Sequence, residues 1–325
     1  MTIGDRVGAW KARWNVGRMD FRVDPGLYAL GEPDADSPVL VTANYKMSFD
    51  RLRGALPGRA AWILVLDTRG VNVWCSAGKG TFGTQELIRR VRDTRLSEVV
   101  RHKRLVLPQL SAPGVTAHEI PAATGFRVQW GPVRARSLPE FLDAGLKATA
   151  AMRIVSFGWR ERAVLVPVEL VAALKKGAPL AAILAFGGAL GWSGGYLDNV
   201  VRHGALSAIA LGLAILAGAV AVPLLLPWLP GRAFAAKGIV VGLAAAGVFA
   251  WIFQSEKPSS AGLLELFGCN AILIGAAAYL SMHFTGASTF TSLSGVRREM
   301  RWAVPVEIVL VAAGLSAWIV ARFVA

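Results

Sequence analysis

The sequence predicts an α/β domain on a largely parallel, Rossmann-like sheet, followed by an all-α membrane domain of five transmembrane helices. Three observations carry this prediction. Charge is unevenly divided: residues 1–177 hold 27 Lys/Arg and 16 Asp/Glu, whereas residues 178–325 hold 8 and 5, too few to wet the surface of a soluble fold. The whole chain of 325 residues is 54% apolar and 17% charged with a mean hydropathy of +0.48, against roughly 25% charged in soluble globular proteins, which argues against an ordinary soluble enzyme. Within the first part, short β-rich runs alternate with helical patterns, the order expected of βαβ units. The expected organisation is a cytoplasmic head over 1–160, a juxtamembrane segment over 161–177 and a membrane domain over 178–325.

The head is justified element by element. PVLVT (38–42) is a strand that precedes YKMSFDRLRGAL (45–56). AWILVLD (61–67) leads through TRG to VNVW (71–74), read as a strand running into Cys75. TQELIRRVRD (84–93) is helical, with Thr84 as its N-cap. LSEVVRH (96–102) precedes the strand RLVLPQL (104–110), a short helix near 117–123 and the strand FRVQW (126–130). SLPEFLDAGLKA (137–148) is a helix with Pro139 in its first turn. In such sheets ligands bind beyond the carboxyl ends of the strands, where NVWCSAGK falls. The opening MTIGDRVGAWKARW lacks the apolar core of a signal peptide, so the head is expected to stay in the cytoplasm.

In the second half, spans of about 20 apolar residues are expected at 178–197, 204–229, 236–254, 262–283 and 303–323. Pro223 and Pro227 should kink the second or end it early. With the head inside, the inner segments carry Lys175, Lys176, Arg232, Lys237, Arg297, Arg298 and Arg301, and the outer ones Arg202, Lys257 and Arg322. This bias favours an inner-membrane protein with the head in the cytoplasm and the C-terminus outside. RERAVLVPVELV (160–171) echoes REMRWAVPVEIV (298–309). The first copy is expected to be a short interfacial or re-entrant helix over 163–174. Glu169 and Glu307 stand in apolar runs, where a carboxylate is costly; Glu307 is expected to pair with Arg298 or Arg301.

Composition excludes several classes. Two cysteines, Cys75 and Cys269, and four scattered histidines supply neither a disulfide framework nor a self-contained zinc or iron–sulfur site. The net charge of +14 comes with no nucleic-acid-binding motif; a basic face towards anionic lipid or an acidic protein explains it more simply. The spans show few charges and no matched pair of broken helices, which argues against a transporter.

Residues 70–84, GVNVWCSAGKGTFGT, carry the chemistry. A phosphate loop anchored on Gly78 and Lys79 needs Gly at 73 and Ser or Thr at 80; Val73 and Gly80 fail both requirements. Cys75 keeps three readings: a buried structural thiol, a redox thiol without an evident resolving partner, or a ligand to a metal that arrives with its other donors in a macrocycle.

NVWCSAGK (72–79) matches at every position the signature N-[VI]-W-C-[AS]-A-G-K, and on this ground the chain resembles the mercury-methylating corrinoid proteins (the HgcA family). VTANYKMSFDRLR (41–53), WILVLDTRGVNVWC (62–75), GKGTFGTQELIRRV (78–91), GVTAHEIP (114–121) and TFTSLSGVRREMRW (289–302) look like that family too. The head is also similar to the corrinoid-binding domain of the corrinoid iron–sulfur protein of the acetyl-CoA pathway. The resemblance implies a corrinoid-binding α/β head holding a cobalamin-type corrinoid, with the Cys75 thiolate as lower axial ligand to cobalt. It implies methyl transfer from a methyl-Co(III) corrinoid to Hg(II), giving methylmercury, in an anaerobe. A thiolate trans to the methyl group pushes electrons towards carbon, which suits an electrophilic acceptor.

The same resemblance implies roles for neighbours. Trp74 walls the lower face of the ring, Asn72 holds the backbone of the turn or a corrin amide, and Gly78 and Gly80 let the flat ring approach. Lys79 pairs with a carboxylate or a corrin tail phosphate, and Thr42 faces the corrinoid. Val73, Ser76 and Ala77 complete the implied corrinoid-binding set. The implied partners are a small ferredoxin with two [4Fe–4S] clusters, as electron donor and Hg(II) carrier, and a methyl donor protein or methyltetrahydrofolate methyltransferase. The alternative is a membrane-anchored corrinoid methyl carrier of one-carbon or acetyl-CoA metabolism with another acceptor.

Overall fold

The apolar runs at 39–43 and 61–66 become the central strands of a five-stranded sheet in the computed structural model, which describes residues 2–253, 259–287 and 290–325. The chain divides into two units, Met1–Ser156 and Phe157–Ala325. The first unit begins with α1 (Ile3–Arg13) and continues with β1 (Gly26–Leu30), β2 (Val39–Ala43), α2 (Lys46–Gly54), β3 (Ala61–Leu66), α3 (Val73–Gly78), α4 (Thr84–Asp93) and α5 (Leu96–Val99). It ends with β4 (Arg104–Leu107), α6 (Glu119–Thr124), β5 (Arg127–Trp130) and α7 (Leu138–Asp143).

The sheet order is β1-β3-β2-β4-β5. β3, β2, β4 and β5 are mutually parallel, while β1 lies antiparallel on the outer edge of β3. Successive side chains of a strand face opposite ways, so Val39, Val41, Leu64, Leu66, Leu105 and Leu107 pack under α3, α4, α5 and α6. Leu40, Ile63, Val65 and Val106 pack on the other face against Leu52, Leu56, Leu138 and Phe141 from the side of α2 and α7. Burial on both faces is why these strands read as continuous apolar runs.

Three local expectations need correction, and one strand stands outside the runs read as strands. GLYAL (26–30) forms the edge strand β1, whose residues are mostly half-buried. VNVW is not a strand: Asn72 caps α3, which starts at Val73. Gly83, not Thr84, is the N-cap of α4, and the Thr84 hydroxyl instead accepts from the backbone N–H of Thr116 at 2.8 Å. The last head helix stops at Asp143 because Gly145 and Leu146 turn to φ of 67° and 65°.

The second unit is helical: α8 (Trp159–Ala163), α9 (Val166–Gly188), α10 (Tyr196–Leu225), α11 (Phe234–Phe253), α12 (Ser260–His283) and α13 (Leu293–Val324). Among the described residues, five stretches are long and apolar enough to cross a membrane. The V-P-V-E run of the first echo lies in the opening turns of α9, a continuous helix, and does not form a separate short one. α10 carries π-helical turns at Val200–Gly204 and Leu216–Ala221 and stops at Leu225, two residues before Pro227, which disfavours helix at the residue before it.

The membrane helices hold more buried charge than expected. Arg322, counted above as an outer cation, is buried and donates to Glu265 at 2.9 Å, while His203 meets the other Glu265 oxygen at 2.6 Å. Lys237, counted as an inner cation, is buried and donates to the carbonyls of Leu226 and Leu229 at 2.7 and 2.8 Å. Glu299 accepts from the backbone N–H of Ala235 at 2.6 Å. Glu307 pairs with neither Arg298 nor Arg301: both its oxygens are buried with no hydrogen-bond partner among the described residues. Lys257, Gln254 at the end of the expected third span and Thr289 of the TFTSLSG stretch lie outside the described residues.

Candidate functional site

After β2 the chain turns to β3, and after β4 it turns the opposite way to β5, so the carboxyl ends of β2 and β4 form a switch point of the kind where α/β sheets bind ligands. α3 arrives there from β3, touching β2 and packing on the turn Gln109–Gly114 that follows β4. The approach is close enough to require glycine. A Cβ at Gly114 would stand 2.2 Å from the Phe82 carbonyl oxygen and 2.9 Å from the Ala77 Cα.

The loop that delivers α3 is built around Asn44, buried just past the end of β2. Its Oδ1 accepts from the Thr68 N–H at 3.1 Å, the Thr68 hydroxyl at 2.9 Å and the Gly70 N–H at 2.9 Å. Its Nδ2 donates to Asp67 Oδ1 at 3.3 Å. Thr68 is fully buried, and its one hydroxyl proton is shared between Asn44 and the Val71 carbonyl, at 2.6 Å. Asp67 Oδ1 accepts from the N–H of Arg69, whose φ is 57°, and Glu86 of α4 accepts from the N–H of Asp67 at 2.8 Å. Asn44 and Thr68 are functional positions that the sequence reading does not single out, although each closely follows an apolar strand. The only local signal was a polar residue placed directly after an apolar strand.

Asn72 then caps α3: its Oδ1 accepts from the backbone N–H of Cys75 at 2.9 Å, the N-cap geometry favoured by Asn. Cys75 stands in the first turn, a free, half-buried thiol. Ser76 is buried and its hydroxyl donates to the carbonyls of Asn72 and Val73 at 2.6 and 3.0 Å. Ala77 packs in the core beneath α3, and Val73 packs against the same core. The helix is thus anchored by Val73, Ser76 and Ala77, while Gly78, Lys79 and Gly80 are exposed and Trp74 is half-buried. Positions where a Cβ would stand at Gly78 and Gly80 meet nothing within 4 Å, and Gly80 has a φ of 79°. Thr42 is buried, and alternation along β2 turns its side chain to the face of Leu40, away from the face on which Ala77 packs.

Near the loop, burial pushes the Tyr45 phenol above its ordinary pKa, outweighing the nearby Arg18 and Arg13, and among the described residues its buried hydroxyl has no hydrogen-bond partner. A surface cavity of about 440 Å³ lies at the opposite, amino ends of β2 and β4, lined by Asp36, Val39, Arg59 and Arg104 among others, and is not part of this site. Among the described residues no three His, Cys, Asp or Glu side chains cluster as metal ligands. Cys75 would hold a metal whose remaining donors lie in the metal's own macrocycle. The accessible thiol and the open space over Gly78 and Gly80 fit a flat, macrocycle-bound metal.

The family described as the CO dehydrogenase/acetyl-CoA synthase delta subunit (CdhD) matches residues 15–142, which hold every strand among the described residues and the whole of this site. The gamma subunit of the acetyl-CoA decarbonylase/synthase complex of Methanopyrus kandleri is 36% identical over 123 residues, 37% of this chain and 26% of that protein. That of Archaeoglobus fulgidus is 32% identical over 128 residues, 39% of this chain and 27% of that protein. The corrinoid/iron-sulfur protein large subunit of Moorella thermoacetica is 25% identical over 131 residues, 40% of this chain and 29% of that protein. The matches span about a quarter of these relatives' length, so the likeness is that of a domain: the head of this chain is similar to a segment of the acetyl-CoA synthase and corrinoid/iron-sulfur subunits, and the helical second unit lies beyond it.

Proposed function

We propose that this chain is a membrane-anchored corrinoid protein that receives a methyl group and hands it to an acceptor, with Cys75 as the residue that would hold the cobalt. The observation that carries this reading is the half-buried Cys75 thiol, held by the Asn72 cap at the switch point of a head similar to corrinoid-protein subunits. When bound, the corrinoid supplies a cobalt centre on which a methyl group can be carried.

The residues supply everything else. Cys75 would hold the metal through its sulfur, as the thiolate. Asn72 fixes the backbone of Cys75, and Ser76 ties the first turn to its own carbonyls, so the sulfur is held in position. Gly78 and Gly80 leave room for a flat ring, Trp74 shields the sulfur from water, and the exposed Lys79 reaches an anionic substituent of the ring. A negatively charged Cys75 sulfur would donate electron density to a metal it held, which suits an electrophilic methyl acceptor. With two cysteines in the sequence, electrons for the cycle come from a separate protein; a small ferredoxin with two [4Fe–4S] clusters, acidic in charge, suits the basic head.

Two acceptors are favoured by different observations. The names of the relatives favour a carbon acceptor in acetyl-CoA metabolism. The Cys-centred octapeptide 72–79 favours Hg(II), an electrophile that needs methyl delivered with its electron pair. The test loads anaerobically purified full-length chain with corrinoid bearing labelled methyl, then offers Hg(II) in one arm and acetyl-CoA synthase with CO and coenzyme A in the other. Label passing to methylmercury or to acetyl-CoA identifies the acceptor, and Cys75→Ala is expected to abolish that transfer. Transfer undiminished in Cys75→Ala, or label retained in both arms, overturns the proposal.

A further inference from the structure

α1 is an amphipathic helix whose apolar stripe points outward. Ile3, Val7, Trp10 and Trp14 recur at the i, i+4, i+7, i+11 spacing of one helical face, and all four are exposed, Ile3 at 81% and Trp10 at 61%. Arg6 and Lys11, also exposed, flank the stripe on either side. The opposite face fastens the helix to the head. Asp5 bonds Lys46 and Arg53, each at 2.6 Å. Ala12 is fully buried, and Gly8 lies so close to Phe21 that a Cβ there would come within 2.5 Å of its ring. Thr2 and Asp5 close a capping box at the first turn. The helix is therefore not a loose tail, and its apolar stripe is held outward by the fold.

We propose that this face of α1 lies in the headgroup region of an anionic lipid bilayer and holds the head on the membrane surface. An apolar stripe with indoles, flanked by cationic side chains, is the pattern of helices that lie in the interface plane. Indole rings concentrate at headgroup depth, and the flanking Arg6 and Lys11 complement anionic lipid. The occupant is also at hand, because the described residues of the same chain include five helices long and apolar enough to cross a membrane. The segment after α1 bears on the cysteine loop: a Cβ at Gly70 would stand 2.8 Å from the Met19 carbonyl oxygen. Seating α1 in lipid thereby places the loop that carries Cys75 at a fixed offset from the bilayer.

The experiment attaches an environment-sensitive fluorophore to Val7→Cys, or to Glu32→Cys as control, in full-length chain carrying Cys75→Ser and Cys269→Ser. The protein is reconstituted in vesicles of phosphatidylcholine and phosphatidylglycerol with iodide on both sides. The label at position 7 is expected to emit to the blue and to be quenched at least about threefold less than the label at position 32. Adding Trp10→Ser and Trp14→Ser should remove that difference. Equal quenching at the two positions overturns the proposal. So does a position 7 that stays open in the vesicles and closes only when an acidic protein is added, which would assign the face to a protein partner.

Discussion

Asn44 organises the cysteine loop through four hydrogen bonds to residues 23 to 26 positions away. Replacing it with alanine strips a buried acceptor from three donors, a loss of about 1–3 kcal/mol, and Asn44→Ala should lower the unfolding midpoint of the full-length chain in detergent. Gly114 and Gly78 give a sharper contrast. A Cβ at Gly114 has no room between Phe82 and Ala77, whereas one at Gly78 projects into open space. Gly114→Ala should therefore cost stability, about 1–3 kcal/mol as an overpacked contact does. Gly78→Ala should leave thermal stability unchanged yet weaken corrinoid retention, because only the bound ring would meet the added methyl. A stable Gly114→Ala, or a Gly78→Ala that retains corrinoid fully, would contradict this geometry.

At the scale of elements, α1 is held by charges whose titration lies outside the physiological range. The bond to Lys46 holds the Asp5 carboxyl well below the usual carboxylate range. Its contribution is complete above the unfolded value of about 3.9 and is lost only as pH falls through the folded one. Lys46 is desolvated, but Asp5 and Asp50 raise its pKa overall, so its share is lost only as pH rises through that raised value. Anisotropy of a label at Val7 should stay flat from about pH 5 to 9 and drop in stronger acid. In the second unit, Glu265 links α12 to Arg322 of α13 and to His203 of α10. Removing one member leaves a buried charge unpaired, at about 3–5 kcal/mol. Arg322→Met should thus be more damaging alone than with Glu265→Gln, as a double-mutant cycle on thermal stability will show.

Much of this level was legible in the chain. β2, β3 and α4 announce themselves because two-sided burial demands unbroken apolar runs and because α4 buries Leu87, Ile88 and Val91 on one face. α3 was concealed: Val71, Val73 and Trp74 have strand-like side chains, and the capping Asn72 stood inside the run read as a strand. The anchoring of the loop by Asn44 was not legible at all, since its partners are distant in sequence. Arg322 and Lys237 looked like loop cations because a list of charges does not show that Glu265 or helix-end carbonyls wait beside them.

The whole molecule couples a head matched by the delta-subunit family over residues 15–142 with a helical unit that lies beyond that match. With five helices among the described residues long and apolar enough to cross a bilayer, the chain should remain in the membrane pellet after alkaline carbonate and come out only with detergent. The central claim, however, is one bond between the Cys75 sulfur and a corrinoid cobalt. Cobalt-edge X-ray absorption on full-length chain, expressed anaerobically with cobalamin, tests it most directly. A sulfur scatterer in the cobalt shell of the native chain, absent in Cys75→Ala, is the predicted result; a shell of nitrogen and oxygen alone, or one indifferent to the substitution, would contradict it.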